Sequence, residues 1–228
     1  MHKLRLFALT AVVLFALCAV SPATNFIVNG SFENSSFNCG GTGYCLGLVG
    51  SAVPGWFIPS SDGTYPWGLT NTNPFNAGPT PYGNQWFVLG EVASGVDYTI
   101  QQTMTGLTPG DTYHLSFAIA SESGCCSVAD VSFLSGSSTG PMDFTALPSG
   151  QWWQTQTWST QNEDFLATSS SVTIQFKDLA AEFPGGIDLG LDNVIVTSAA
   201  TTPEPGSLLL FGSGLLAGLG VLRRKRNL

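Results

Sequence analysis

The heptapeptide Tyr113-His-Leu-Ser-Phe-Ala-Ile119 alternates without a break, placing Tyr113, Leu115, Phe117 and Ile119 on one face and His114, Ser116 and Ala118 on the other. A period of two over seven residues is the mark of a half-buried β-strand, and it cannot be satisfied by a helix. Similar short runs occur at 85–91, 97–103, 128–134, 153–159, 171–178 and 191–197. Turn signals separate them, among them Leu107-Thr-Pro-Gly-Asp111 and Phe183-Pro-Gly-Gly186. No stretch between the two ends of the chain carries helical periodicity. Many short strands joined by Gly/Pro turns predict an all-β fold, a two-sheet antiparallel β-sandwich, and the long connections favour a jelly roll.

The two ends read differently. Met1–Thr24 has His2, Lys3 and Arg5, then the apolar run Leu6–Val20, then Ser21-Pro22-Ala23, the form of a secretory signal helix with cleavage expected after Ala23. Leu17 stands where a lipoprotein signal needs a small residue before Cys18, which argues against lipidation. At the other end, Pro203-Glu204-Pro205 precedes an uncharged Leu- and Gly-rich segment, Ser207–Leu222, and then Arg223-Arg224-Lys225-Arg226. Sixteen residues span about 24 Å as a helix, slightly short of the roughly 17–25 residues usual for a membrane span. The basic end can hold the C-terminus on the cytoplasmic side. The chain thus divides into a signal peptide (1–24), a β-sandwich domain (25–198), a linker with the Pro-Glu-Pro motif (199–206) and a C-terminal transmembrane helix with a basic end (207–228).

This order of Pro-Glu-Pro, apolar segment and Arg-rich end resembles the PEP-CTERM sorting tail of Gram-negative, biofilm-forming bacteria. The resemblance implies export through the inner membrane and recognition of a membrane-anchored precursor by an exosortase. Delivery to the cell surface or the extracellular exopolysaccharide matrix would follow. A plain C-terminal anchor is the alternative.

Between Asn25 and Thr202 there are fourteen acidic residues and one base, Lys177, a net charge of −13. Such a surface repels phosphate backbones and excludes nucleic acid as a partner, while favouring cations. The same window holds Cys39, Cys45, Cys125 and Cys126. In an exported chain disulfides are the default. Strain in a vicinal Cys125–Cys126 bridge favours cross-pairing with Cys39 and Cys45, with a local Cys39–Cys45 bridge as the competing pattern. A zinc site would need partners the domain lacks, since its only histidine is His114.

A second resemblance runs along the domain. Asn29-Gly-Ser-Phe-Glu33, Pro54-Gly-Trp56, Gly83-Asn-Gln85, Leu107-Thr-Pro-Gly-Asp-Thr-Tyr113 and Leu191-Asp-Asn-Val194 occur in the order seen in galactose-binding-like jelly rolls, including many carbohydrate-binding modules. The resemblance implies a structural calcium between the first and last strands. Glu33 and Asp192 would supply carboxylates, Ser31 and Gln85 backbone carbonyls, and water or further carbonyls the rest of a six- to eight-oxygen shell. Tyr82 stands where some relatives carry another acid. The alternative is that Glu33 only hydrogen-bonds the N-terminal strand.

Sugar rings stack their C–H faces on exposed aromatic rings and bond their hydroxyls to neighbouring amides and carboxylates. Tyr65, Trp67, Tyr82 and Trp86 lie in a region rich in Asn and Pro, and Gln151-Trp-Trp-Gln-Thr-Gln-Thr-Trp158 interleaves rings with amides and hydroxyls. Tyr65, Trp67, Tyr82 and Trp152 are the expected ligand contacts, whereas Trp56 is expected in the core. Catalysis has little support. There is no G-x-S-x-G turn, one histidine on the polar face of a strand, and a single adjacent acid pair, Glu163-Asp164, which would point to opposite faces on a strand and form a solvated acidic turn in a loop. The expectation is a non-catalytic exported domain that binds or organises exopolysaccharide. The alternative is a structural matrix protein without defined sugar recognition.

Overall fold

Four nested strand pairs define the architecture of the computed structural model, which describes residues 24–34, 45, 48–59, 69–70, 80–89, 99–121, 127–147, 157–179 and 189–199. Among them β2 (Trp86–Leu89) pairs with β9 (Leu189–Ser198) and β3 (Thr99–Thr105) with β8 (Ser171–Asp178). Inside these, β4 (Thr112–Ser121) pairs with β7 (Ser159–Leu166) and β5 (Val128–Ser135) with β6 (Met142–Thr145). All four pairs are antiparallel. Joined by β4–β9 and β5–β8, and with the short β1 (Leu69–Thr70) at one edge, they form a five-stranded sheet β1-β2-β9-β4-β7 and a four-stranded sheet β3-β8-β5-β6. A long antiparallel ribbon rolled up in this way is a jelly roll, the expected fold. Residues 1–198 make one compact unit and 199–228 another.

The alternation in β4 has the predicted consequence: Tyr113, Leu115, Phe117 and Ile119 all enter the core. Phe117 sits at its centre, edge-on to Phe144 and to Phe176, both with ring centroids 5.1 Å away. Trp56 stacks on Phe32 at 5.4 Å and meets Phe176 edge-on at 6.1 Å, the core position expected for it. At the start of β4 the Tyr113 hydroxyl accepts the Thr108 N–H at 2.7 Å, so the Leu107–Tyr113 turn is pinned to the second residue of the strand.

The motifs at 29–33 and 54–56 form one knot. Asn29 adopts a left-handed conformation, donates its amide to Pro54 O (3.0 Å) and accepts the Asn34 N–H (2.9 Å), while its carbonyl accepts the Trp56 indole N–H at 3.0 Å. The segment before it lies along β9, with Phe26 N–H donating to Val196 O (2.8 Å) and Val194 N–H to Gly30 O (2.9 Å). Position 30 must be glycine, because a Cβ there would overlap the Val194 carbonyl.

Two strand expectations need correction. The strand foreseen at 153–159 lies instead at Ser159–Leu166; residues 157–158 are not strand, and 153–156 fall outside the described residues. The Glu163-Asp164 pair is in the edge strand β7, the first of its two expected placements, with Glu163 half-buried and Asp164 exposed. The strand β6 was not foreseen. The signal segment 1–23 and the tail from 200 onward lie outside the described residues, and among those described no helix is long and apolar enough to cross a membrane.

Candidate functional site

Of the residues that the sequence singles out, Asp192 lies on the outward face of the five-stranded sheet. Because Phe87, Leu89, Leu189 and Leu191 point into the core, their neighbours Trp86, Gly190 and Asp192 point away from it. A bulge follows. Asn193 takes a left-handed backbone (φ 49°) and the β4–β9 register shifts between Ser116 and Ala118, which returns Val194 and Val196 to the core.

Asp192 is fully buried on this outward face. Its Oδ2 accepts the Thr80 hydroxyl at 2.5 Å and its Oδ1 the Asn193 N–H at 2.6 Å. Burial nevertheless dominates and, with a smaller contribution from the charge on Glu33, lifts its pKa from 3.8 to about 6 against the lowering effect of both bonds. Glu33 Oε1 accepts the backbone N–H of Asn84 (2.5 Å) and Gln85 (2.7 Å), so it ties the turn before β2 to the N-terminal segment. Gly83 is needed beneath it, because a Cβ there would strike the carboxylate. The structure thus brings Glu33 and Asp192 near each other, and Gln85 is bonded to Glu33 through its amide. Ser31 lies two residues before Glu33 in the same N-terminal turn. These hard oxygen donors are the atoms a cation could use; among the described residues no three His, Cys, Asp or Glu side chains cluster.

Thr80 connects the acids to an aromatic group, since its hydroxyl also accepts the Tyr82 N–H at 3.2 Å. The Tyr82 ring lies edge-on to Trp158 (6.4 Å), which lies edge-on to Trp86 (5.6 Å), and the Tyr82 hydroxyl bonds Thr160 Oγ1 at 2.9 Å. Gly190 gives the two indoles room, as a Cβ there would come within 3.0 Å of Trp158 and 3.1 Å of Trp86. Trp86 is only 2% exposed, and the indole N–H groups of both Trp86 and Trp158 are buried with no acceptor among the described residues. A buried donor left unpaired costs roughly 1–3 kcal/mol, which an internal water oxygen would relieve.

Of the expected ligand contacts, Tyr82 is here; Tyr65, Trp67 and Trp152 lie outside the described residues. Sequence reasoning missed Trp158 and Thr80 as parts of the site. The signal for Trp158 was the glycine at 190, an unusual residue in a central strand. Cys45 is buried and disulfide-bonded, while Cys39, Cys125 and Cys126 lie outside the described residues. His114 Nδ1 and Asp164 Oδ1 meet at 2.7 Å across β4 and β7, both well exposed to solvent. No nucleophile bonded to this pair is found among the described residues.

Fold and site together define an all-β jelly-roll domain carried ahead of a sorting tail. Residues 25–183 match the family described as "Protein of unknown function (DUF642)", and the chain belongs to that family. Residues 201–226 match the PEP-CTERM protein-sorting motif, so the chain bears an export and sorting signal. No curated protein matches it. Among solved structures it is similar to the enzymatically active domain of bacteriophage CBA120 tailspike protein 4, with 15% identity and a TM-score of 0.44; the match covers 77% of this chain and 21% of that one, about a fifth of its length. It is also similar to TmCBM61 in complex with β-1,4-galactotriose (15% identity, TM-score 0.43, 78% and 100% of the two chains). A third is the CBM22-1 xylan-binding domain of Xyn10C from Paenibacillus barcinonensis (12% identity, TM-score 0.43, 81% and 100%).

Proposed function

We propose that this is a non-catalytic, exported polysaccharide-binding protein that organises exopolysaccharide at the cell surface or in the extracellular matrix. On this reading the signal peptide is removed after Ala23. An exosortase then processes the membrane-held precursor at the tail, releasing the domain from the inner membrane. The observation that carries the binding role is the Tyr82–Trp158 pair, two half-buried rings set edge-on above Trp86, with the Tyr82–Thr160 hydroxyl pair beside them. Part-exposed rings and hydroxyls side by side suit a sugar, which offers both C–H faces and hydroxyl groups. Tyr65, Trp67 and Trp152 are proposed as further sugar contacts.

Calcium is the proposed structural ion. The proposed ligand atoms on Glu33 and Asp192 are all oxygen; burial, with a small contribution from the charge on Glu33, raises the pKa of Asp192, and a divalent cation would stabilise its charged form. Glu33, Asp192 and the carbonyls of Ser31 and Gln85 would hold it. The same acids support a second reading, a matrix scaffold that recognises no defined sugar and is cross-linked through calcium.

Calorimetric titration of the full chain with the producing organism's exopolysaccharide separates the two readings. Binding that falls at least tenfold in Tyr82→Ala and in Trp158→Ala, with the melting temperature kept, is expected of the sugar-binding reading. Absence of binding by the wild-type chain, together with calcium-dependent self-association, would replace it with the scaffold.

A further inference from the structure

A second set of sugar-compatible groups lies on the opposite side of the sandwich, at the edge of the four-stranded sheet. Phe57 is held there by strand geometry. It exchanges two backbone hydrogen bonds with Gln101 of the edge strand β3 (2.8 and 2.9 Å), so its neighbours Trp56 and Ile58 enter the core and its own ring is turned outward, 46% exposed. Gln101 shares that outward face, where its Oε1 accepts the Gln175 amide at 3.3 Å. The amide nitrogen of Gln101 has no partner among the described residues.

Alongside runs a groove of about 280 Å³ lined by Ser51, Gly55, Phe57, Gln101 and Thr103, with Trp56 and Gln102 behind. Its back wall is fixed. Gln102 is buried, and its side-chain amide bonds both the N–H (2.7 Å) and the C=O (2.9 Å) of Val28, as a strand would. In an antiparallel strand alternate residues direct their N–H and C=O to the same edge. Those of Thr103 therefore face the same way as those of Gln101, and nothing among the described residues pairs with them.

We propose that this groove is a separate binding site for a neutral sugar residue. Phe57 would stack on the C–H face of the ring, while the Gln101 amide, the Ser51 hydroxyl and the Thr103 backbone pair would bond its hydroxyls. Three observations select this occupant. No lining residue is charged, and the strongly acidic domain disfavours uronic acids and sulfated sugars. The volume, just under the ~300–1,000 Å³ of sites for drug-sized ligands, suits about one or two rings. An added peptide strand is disfavoured because the 50–58 segment already occupies the edge at Gln101, leaving only the short Thr103–Thr105 stretch of β3. The inference shares with the functional proposal the ligand class and not the site, and two sites on opposite sides would let one molecule bridge two polysaccharide chains.

The test uses the full chain in a non-glycosidic detergent, probed by saturation-transfer NMR and calorimetry. The probes are β-1,4-galactotriose and xylohexaose as neutral sugars, tri-galacturonate as the charged control, and the peptide (Thr-Val)4 as a strand. The expected result is that a neutral probe binds, that Phe57→Ala weakens the component it contacts at least tenfold without lowering the melting temperature, and that Gln101→Leu weakens the same component. Tyr82→Ala should leave that component intact. Tri-galacturonate should not bind there. If Phe57→Ala and Gln101→Leu bind every neutral sugar as the wild type does, the groove is not a sugar site, whatever Tyr82→Ala shows. Loss in Tyr82→Ala alone would leave the functional proposal standing and overturn this one. Loss in the groove variants alone would support this one against the Tyr82 site. Phe57-dependent binding of (Thr-Val)4 in place of sugar would overturn the ligand class.

Discussion

Replacing Asp192 with asparagine tests the electrostatics of the acid pair without emptying the site. The carboxyl is buried and its pKa is raised from 3.8 to about 6. In this range the native state binds more protons than the unfolded state, so stability falls as pH rises from about 4 to about 6. The penalty is absent below the lower value and fully present above the upper one. A shift of about 2.2 units at 1.36 kcal/mol per unit corresponds to about 3 kcal/mol at neutral pH in the absence of a bound cation. Asparagine fits the same contacts, with its Oδ1 accepting the Asn193 N–H and its amide donating to Thr80 Oγ1. Urea unfolding with chelator present, at pH 4.5 and pH 7.5, should therefore show the wild type losing about 2 kcal/mol more than Asp192→Asn between the two, since about a third of the penalty is already present at pH 4.5. Other acids titrate in both proteins and cancel in the difference. Added calcium should restore the wild type at pH 7.5 and leave the variant unchanged. Parallel pH profiles for the two proteins would refute the reasoning, because they would mean that Asp192 titrates alike in the folded and unfolded chain.

Other expectations concern packing, turns and processing. Trp56→Ala should destabilise the domain by roughly 3–5 kcal/mol in chemical denaturation, as a large core truncation, whereas Tyr82→Ala should leave stability nearly unchanged. Tyr113→Phe leaves the Thr108 N–H without its acceptor and should cost about 1–3 kcal/mol, read from the same denaturation curves. Intact-mass measurement of the mature surface protein should show that Ser207–Leu228 has been removed; retention of Arg223–Arg226 would count against sorting. Thiol labelling of oxidised, folded protein should find no free thiol among Cys39, Cys45, Cys125 and Cys126, and two or more reactive thiols would contradict full pairing.

What the sequence revealed follows from which side chains meet the core. The strand β4 was legible because one of its faces is fully apolar, and the turns at 54–56 and 107–113 because glycine and proline are demanded there by backbone geometry. β7 was displaced in the reading because Gln161 and Glu163 occupy its half-buried positions at a sheet edge, so the apolar half of the period is missing until Phe165. β2 was harder still. All four of its residues are buried, with Phe87 and Leu89 in the core and Trp86 under Trp158. A short continuous apolar run of that kind does not declare its faces. Glu33 and Asp192 were placed together by motif order alone, since nothing local in a chain reveals a contact between its two ends. Thr80 and Trp158 were missed because their roles come from tertiary neighbours.

The nested pairing also fixes an order of events in the making of this protein. β5 and β6 are close in sequence and can pair early, but β2 and β3 must wait for β9 and β8, which are among the last strands to leave the ribosome and cross the membrane. β9 is a central strand, bonded to β2 and β4 and flanked by the N-terminal segment through Phe26 and Gly30. Until residues 189–198 arrive, the five-stranded sheet has a gap in its middle and the Trp56 knot has nothing to close against. The sorting motif begins at residue 201, just past the end of β9 at Ser198. Synthesis of the address is therefore almost coincident with completion of the fold, and a chain truncated early enough to lose its tail by a few more residues also loses the strand that closes the domain. In such a chain the missing address and the failure to fold would arrive together, so that unsorted protein would be largely protein that proteases can already recognise.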